Sequence, residues 1–201
     1  MKKTYSVEEI QKIEKKEFKR LKNSYILMKR AGTNCAKKIY KSKMNRNFIV
    51  LCGPGNNGGD GLVISKVLKK LNQNIKLYCL GYRTYKGDAK IAFNKNYLIK
   101  NKYEDLYIPK NSVIIDCLFG IGISRNIKGF YKKIIKKVNN SKQYIISIDI
   151  PSGINGNNGK IMGTAIKANF TYTLHAKKIG LTVNSGMKYS GKISIIDIGI
   201  R

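Results

Sequence analysis

Histidine is nearly missing from this chain. His175 is the sole one and follows a strand-like run, where a structural or incidental role suffices, so histidine-based metal or triad chemistry is not expected. Cysteine is sparse too: Cys35, Cys52, Cys79 and Cys117 stand in or beside apolar runs, never in paired metal-ligand spacing. They read as reduced core residues of an intracellular protein. No stretch approaches the roughly 20 apolar residues that span a bilayer. Met1-Lys2-Lys3-Thr4-Tyr5 leads into Glu8 and Glu9 rather than into an apolar or transit-type leader, so a cytoplasmic protein is expected. Acidic residues are few, 11 against 40 Lys and Arg, for a formal charge of +29. That excess suits a polyanion, yet the lysines are spread from Lys2 to Lys192 with no arginine cluster or aromatic ladder. Abundant asparagine, isoleucine and tyrosine beside them point to a composition bias with a solvated basic surface. No specific nucleic-acid partner is expected, although a phosphate-bearing ligand would be attracted. Internal repeats and low-complexity tracts are absent, and 201 residues with 42% apolar content fit one domain, 1–201, with a core of its own.

What is present is organised around Val50-Leu51-Cys52-Gly53-Pro54-Gly55-Asn56-Asn57-Gly58-Gly59-Asp60-Gly61-Leu62-Val63. Phe48 to Cys52 has the unbroken apolar pattern of a strand buried on both faces, and Leu62 to Leu71 has the spacing of an amphipathic helix. The spacing predicts a glycine-rich loop between them, and a strand, such a turn and a helix N-terminus together make an anion site. The loop is neither a P-loop, lacking the Lys-Ser/Thr pair, nor a Rossmann dinucleotide fingerprint. Asn56, Asn57 and Asp60 add side-chain oxygens, and by themselves these residues are also ordinary turn formers.

Around this stretch the chain alternates helix and strand. Ser6 with Glu9 is a capping box opening a helix at Val7, with Ile10 and Ile13 inward, and Met28, Ala31, Cys35 and Ile39 mark a second helix. Ile75 to Leu80 reads as a strand, Gly87 to about Leu98 as a helix, and Leu106-Tyr107-Ile108 as a short edge strand. Val113 to Ile115 is a buried strand ending in Asp116-Cys117-Leu118-Phe119-Gly120-Ile121-Gly122, followed by a basic helix from about Gly129 to Val138. Tyr144 to Ile148 is another, ending in Asp149-Ile150-Pro151-Ser152-Gly153, with further strands at Phe170 to Leu174 and Ile193 to Ile198. The fold class is α/β: a doubly wound, Rossmann-like, mostly parallel sheet with helices on both faces and two N-terminal helices. The order 3-2-1-4-5 would bring the three polar, glycine-bearing segments to one crevice at the carboxyl ends of the strands.

Those segments, Cys52 to Gly61, Asp116 to Gly122 and Asp149 to Gly153, resemble the signature of the NAD(P)H-hydrate epimerase family, the YjeF N-terminal domain. Leu27-Met28 before Ala31-Gly32, Lys86-Gly87-Asp88-Ala89 and Lys178-Ile179-Gly180-Leu181 support the match, which runs over nearly the whole chain. The resemblance implies an isomerase that interconverts the R and S forms of hydrated NADH and NADPH, NADHX and NADPHX, in nicotinamide cofactor repair. It further implies nucleotide binding by Asn56, Asn57, Gly58, Gly59 and Asp60 and by Gly120, Ile121, Gly122, Ile123, Ser124, Arg125 and Asn126. A potassium ion would be held by Asn57, Asp116 and Ser152, and Asp149 would meet the reacting ring. An amide oxygen, a carboxylate and a hydroxyl are hard donors, suited to an alkali or alkaline-earth ion and poor for zinc. For Asp149 the expectation is general acid/base catalysis in which a protonated carboxyl helps hydroxide leave C6, giving an iminium through N1. Ring opening to an aldehyde is the competing route.

The chain departs from the family at Lys29 and Asn169, where acidic residues are usual, and stops at Ile198-Gly199-Ile200-Arg201, where some relatives continue into a dehydratase domain. It is expected to be either a stand-alone epimerase or the N-terminal half of a bifunctional chain, with the ADP/ATP-dependent NAD(P)H-hydrate dehydratase fused or separate and a homodimer among the expected states. The alternative function is a non-catalytic scaffold of the same domain that binds RNA or protein.

Overall fold

The computed structural model describes residues 4–44, 46–80 and 84–200. Its elements in chain order are α1 (Val7–Leu21), α2 (Tyr25–Lys41), β1 (Asn47–Cys52), α3 (Asn56–Lys70), β2 (Ile75–Cys79), α4 (Gly87–Lys95) and β3 (Lys100–Asn101). There follow β4 (Ser112–Cys117), α5 (Gly129–Asn140), β5 (Tyr144–Ile148), β6 (Phe170–Leu174), a 3-10 turn at Ile179–Leu181, α6 (Asn184–Tyr189) and β7 (Lys192–Ile196). The strands form one sheet in the order 3-2-1-4-5-6-7, and every pairing is parallel.

Alternation along the strands explains the two helical layers. Phe48, Val50 and Cys52 point into a core shared with Met28, Ala31 and Cys35 of α2, Leu62, Ile64 and Leu68 of α3, and Ala89 and Ala92 of α4. Ile49 and Leu51 point the other way, toward Ile134, Ile135 and Val138 of α5. Both sheet faces are covered, which is why the central strands read as continuous apolar runs. The four cysteines are free and buried.

Three expectations need correction. The glycine-rich segment is not a loop: α3 already begins at Asn56, so Asn57, Gly58, Gly59, Asp60 and Gly61 are helical and buried. Glycine is required there by close approach, since a Cβ on Gly58 would lie 1.8 Å from the Gly53 carbonyl oxygen and one on Gly61 would lie 2.7 Å from Cys52 Sγ. The third strand is Lys100–Asn101, paired to Leu77 and Tyr78, and not Leu106-Tyr107-Ile108. Leu106 is apolar because it fills the α5-side core, while Tyr107 is exposed. Finally α4 stops at Lys95, because the buried Asn96 side chain turns to donate to the Leu62 carbonyl, 2.7 Å, and to the Ser65 hydroxyl, 3.0 Å.

Candidate active site

The sheet order reverses between β1 and β4, and their ends lie in register, Leu51 opposite Asp116 and Cys52 opposite Cys117. Past these ends the chains touch: a Cβ on Gly53 would fall 1.8 Å from the Leu118 carbonyl oxygen. A crevice at this reversal is where open parallel sheets place ligands.

Asp116 is its fully buried floor. Its carboxylate accepts from the Ser147 hydroxyl at 2.7 Å, from the Ser152 N–H at 2.9 Å, from the Ser152 hydroxyl at 2.6 Å and from the Leu118 N–H at 3.2 Å. Ser152 Oγ also accepts from the Phe119 N–H at 2.9 Å, which fastens the segment after β4 to the segment after β5. Burial pushes the Asp116 carboxyl above its ordinary range, with the donors from Ser152, Ser147 and Leu118 opposing the shift.

Asp149 follows β5 directly and takes a left-handed backbone, φ 70°, which costs a non-glycine residue roughly 1–2 kcal/mol. That strain is offset by its Oδ1, which accepts 2.5 Å from Lys178 Nζ in a salt bridge. Lys178 is 1% exposed, and its other donors reach Thr173 Oγ1 at 3.2 Å and the Leu174 carbonyl at 2.8 Å. The ammonium is therefore fully satisfied and fixes one oxygen of Asp149. The second, Oδ2, has no hydrogen-bond donor among the described residues and lies 3.4 Å from where a Cβ on Gly120 would be. The same point is 3.3 Å from Asn57 Cβ, so Asn57, Gly120 and Asp149 enclose one small hollow. Both polar atoms of the Asn57 amide are buried and unpartnered among the described residues.

The structure thus brings together Asn57, Gly120, Asp116, Ser152 and Asp149. Asn56 and Asp60 lie to one side, on a cavity of about 70 Å³ that they share with Glu14 of α1 and Asp88 of α4. Gly58 and Gly59 serve packing, Gly58 against Gly53 and Gly59 against Met28. Gly122, Ile123, Ser124, Arg125 and Asn126 line a larger cavity of about 660 Å³ with Pro54, Phe119, Lys128 and Tyr131, while Ile121 packs against Ile150 and Ile154. His175 ends β6 with its N–H on the Ile196 carbonyl, and burial lowers its basicity. Asn169 takes a backbone role, its Oδ1 accepting from the Ile145 N–H at 2.8 Å.

Sequence reasoning missed two groups here. In the sequence Lys178 stands out only as part of a supporting motif, and its burial against Asp149 has no signal in a chain so rich in lysine. Glu14 shared the helical spacing of Ile10, which was a usable sign that it faces inward. Among the described residues no cluster of three or more His, Cys, Asp or Glu could hold a metal ion, and no helix is long and apolar enough to cross a membrane.

A model of the family described as YjeF-related protein N-terminus matches residues 24–180. The chain is 38% identical over 186 residues to an NAD(P)H-hydrate epimerase of Lentilactobacillus buchneri, covering 88% of this chain and 85% of the relative. It is 36% identical to the protein of the same name from Oenococcus oeni, covering 88% and 87%. A bifunctional NAD(P)H-hydrate repair enzyme of Coxiella burnetii is 35% identical over 89% of this chain, which spans 38% of that longer protein. The crystal structure of yeast ynu0 shares the fold with a TM-score of 0.79 at 20% identity, over 96% of this chain and 87% of that one. With a matching family model across most of its length and such relatives covered almost end to end, this chain belongs to the family of YjeF-related N-terminal domains.

Proposed function

We propose that the chain is an NAD(P)H-hydrate epimerase, an isomerase that interconverts the R and S forms of NADHX and NADPHX so that a stereospecific dehydratase can restore the cofactor. The observation that carries this reading is the single hollow enclosed by Asn57, Gly120 and Asp149 at the reversal of the sheet. It opens beside a cavity of about 660 Å³, of the size that small ligands occupy, bordered by Arg125 and Lys128 for the phosphates. The relatives that bear this activity in their names match nearly the whole chain.

Within that reading the residues divide the work. Asp149 presents Oδ2 to the nicotinamide ring, and its pairing with the Lys178 ammonium supports a role as the base of the reaction. The pair also fixes which oxygen reacts, because Oδ1 is committed to Lys178. Inversion needs the hydroxyl to leave C6 and water to return on the other face, and Asp149 is placed to take the proton of the incoming water. Asn57, Gly58 and the first turn of α3 offer N–H groups to the dinucleotide, since Gly55 brings no side chain to cap them.

The donor set also suits a potassium ion. Asn57 Oδ1 is a buried oxygen without a partner among the described residues, and with Asp116 and Ser152, which bond to each other, it would supply an all-oxygen donor set carrying one carboxylate. When bound, the ion supplies a fixed positive charge that braces the segments after β1, β4 and β5. The dehydratase acts from a separate chain or, as in the bifunctional relatives, from a fused one. We place the reaction in the cytoplasm and leave a homodimer as an assembly to be read by light scattering.

The test is a chiral chromatographic assay of NADPHX with wild type and Asp149→Asn. Wild type should equalise R and S far faster than the uncatalysed reaction, and Asp149→Asn should lose about 10²–10⁴-fold. Equal, uncatalysed rates for both would favour a scaffold. Exhaustive dialysis should lower the rate and potassium should restore it; indifference to the cation would remove the ion from the site.

A further inference from the structure

Asp149 is tied to an ammonium, so the proton that the departing hydroxyl needs has to come from elsewhere. The structure offers one other carboxyl group poised for it. Helix α1 belongs to neither main core cluster. It is pinned at its start, where Tyr5 pairs with Lys178 as an isolated parallel bridge and the Val7 N–H donates to Asn157 Oδ1 at 2.6 Å. From there it carries Glu14 and Phe18 onto the small cavity lined by Asn56, Asp60, Asp88 and Leu174. Leu174 joins this cavity to the Asp149 pair: its N–H lies 3.4 Å from Asp149 Oδ1 and its carbonyl accepts from Lys178.

We propose that Glu14 is a second catalytic residue, the proton donor to the hydroxyl leaving C6, reaching the nicotinamide ring from α1 while Asp149 reaches it from the end of β5. The inference rests on the epimerase reading. In the step, the C6–O bond breaks with its electron pair going to oxygen, Glu14 gives that oxygen a proton, and the nitrogen lone pair closes an N1=C6 bond. Water then bonds to C6 on the other face, the electron pair returns to N1, and the water's proton passes to Asp149 Oδ2. Solvent carries a proton from Asp149 back to Glu14, so nothing is consumed.

Two further observations fit. The cavity of about 70 Å³ has room for water beside the Glu14 carboxyl, as a seat for the exchanged water would need. Asp60 is 7% exposed and has no hydrogen-bond donor on its carboxyl among the described residues, so this side of the crevice holds polar atoms that await a partner. Burial first, and the charge of Asp149 second, push the Glu14 carboxyl up to about 7, with Lys178 opposing, so it keeps a proton near neutrality. The charged groups that face it are Asp60 from α3, Asp88 from α4, Asp149 after β5 and Lys178 before the 3-10 turn.

The experiment measures kcat/KM against pH for wild type, Glu14→Gln and Asp60→Asn, with circular dichroism to check folding. Wild type should lose rate as pH rises through about 7. Asp60→Asn should keep that limb, and Glu14→Gln should lose both the limb and about 10²-fold or more of rate. A folded Glu14→Gln enzyme with wild-type kcat/KM and an unchanged profile overturns the proposal. Carbon-13 NMR of labelled glutamate in wild type gives a second reading: a Glu14 carboxyl titrating in the ordinary range overturns it even if the variant does not fold. Absence of epimerisation in wild type would instead sink the reading of function.

Discussion

The two sides of the crevice differ in how their buried polar atoms are satisfied. On the β4–β5 side Asp116, Ser152, Asp149 Oδ1 and Lys178 form a closed set in which each oxygen or ammonium has near partners. On the α1–α3 side, among the described residues, the Asn57 amide has none and Asp60 has no donor, and burial raises the Glu14 carboxyl to about 7. A buried polar group without a partner costs about 1–3 kcal/mol, so the second side is kept at a deficit that a ligand relieves. The first side is scaffold, built before substrate arrives. On the proposed function the second is where binding energy is collected, so substitutions on the first side should lower stability and activity together, and those on the second should raise stability while activity falls.

The largest effect is expected at Lys178. Lys178→Met leaves the Asp149 carboxylate buried without its counter-charge, which for a buried pair costs about 3–5 kcal/mol. Urea unfolding should show that loss, and epimerase activity should disappear with it. Adding Asp149→Leu should return most of the stability and none of the activity, because an apolar pair can replace a buried ion pair while no base remains. A Lys178→Met protein as stable as wild type would break the claim that this side is a prebuilt scaffold.

How far the sequence announced this division depends on where each residue sits. The central strands were legible because both faces are buried, and Tyr144–Ile148 and Phe170–Leu174 begin and end where their strand-like patterns do. The edge was not, since β3 is Lys100–Asn101, a stretch too short to carry a period and held to Leu77 and Tyr78 through its backbone. The glycines of α3 misled because composition alone reads them as loop, and only contacts such as Gly58 against the Gly53 carbonyl explain glycine inside a helix. The segments after β1, β4 and β5 were readable as one crevice through the strand order. Which oxygen of Asp149 is committed and which is open depends on Lys178, a residue 29 positions away and hidden by the abundance of lysine.

A smaller and more discriminating pair of variants sets the two sides against each other. Asp116→Ala removes the acceptor for the Ser147 hydroxyl, the Ser152 N–H and hydroxyl and the Leu118 N–H. It should destabilise by about 1–3 kcal/mol in total, because the serine hydroxyls can turn to other acceptors, that of Ser152 to the Phe119 carbonyl, and the two N–H groups carry most of the loss. Asn57→Leu, of similar size, removes the two unpartnered atoms of the amide and should stabilise the ligand-free protein by about 1 kcal/mol. Its epimerase activity should nevertheless fall. Parallel thermal melts and chiral assays check both, and an Asn57→Leu protein less stable than wild type would place Asn57 with the scaffold.

The smallest effect is a slope against pH that belongs to the deficit side. Glu14 has its carboxyl raised from the ordinary 4.5 to about 7, so between those values the folded chain binds a proton that the unfolded chain has released. Stability must therefore fall as pH rises across that window, and below it the contribution vanishes because both states are protonated. Asp60, raised by burial and by Asp149 and Glu14, adds a slope of the same sign. The full window would be about 3 kcal/mol for a group sealed from water, and solvent screening of the half-buried Glu14 roughly halves it, so Glu14→Gln should be more stable than wild type by about 1–2 kcal/mol at pH 8 and unchanged near pH 4.5. Urea midpoints at the two pH values give the difference directly. A Glu14→Gln chain whose advantage is the same at both would mean that the side chain is solvated, and the contrast between the two sides would then rest on Asn57 and Asp60.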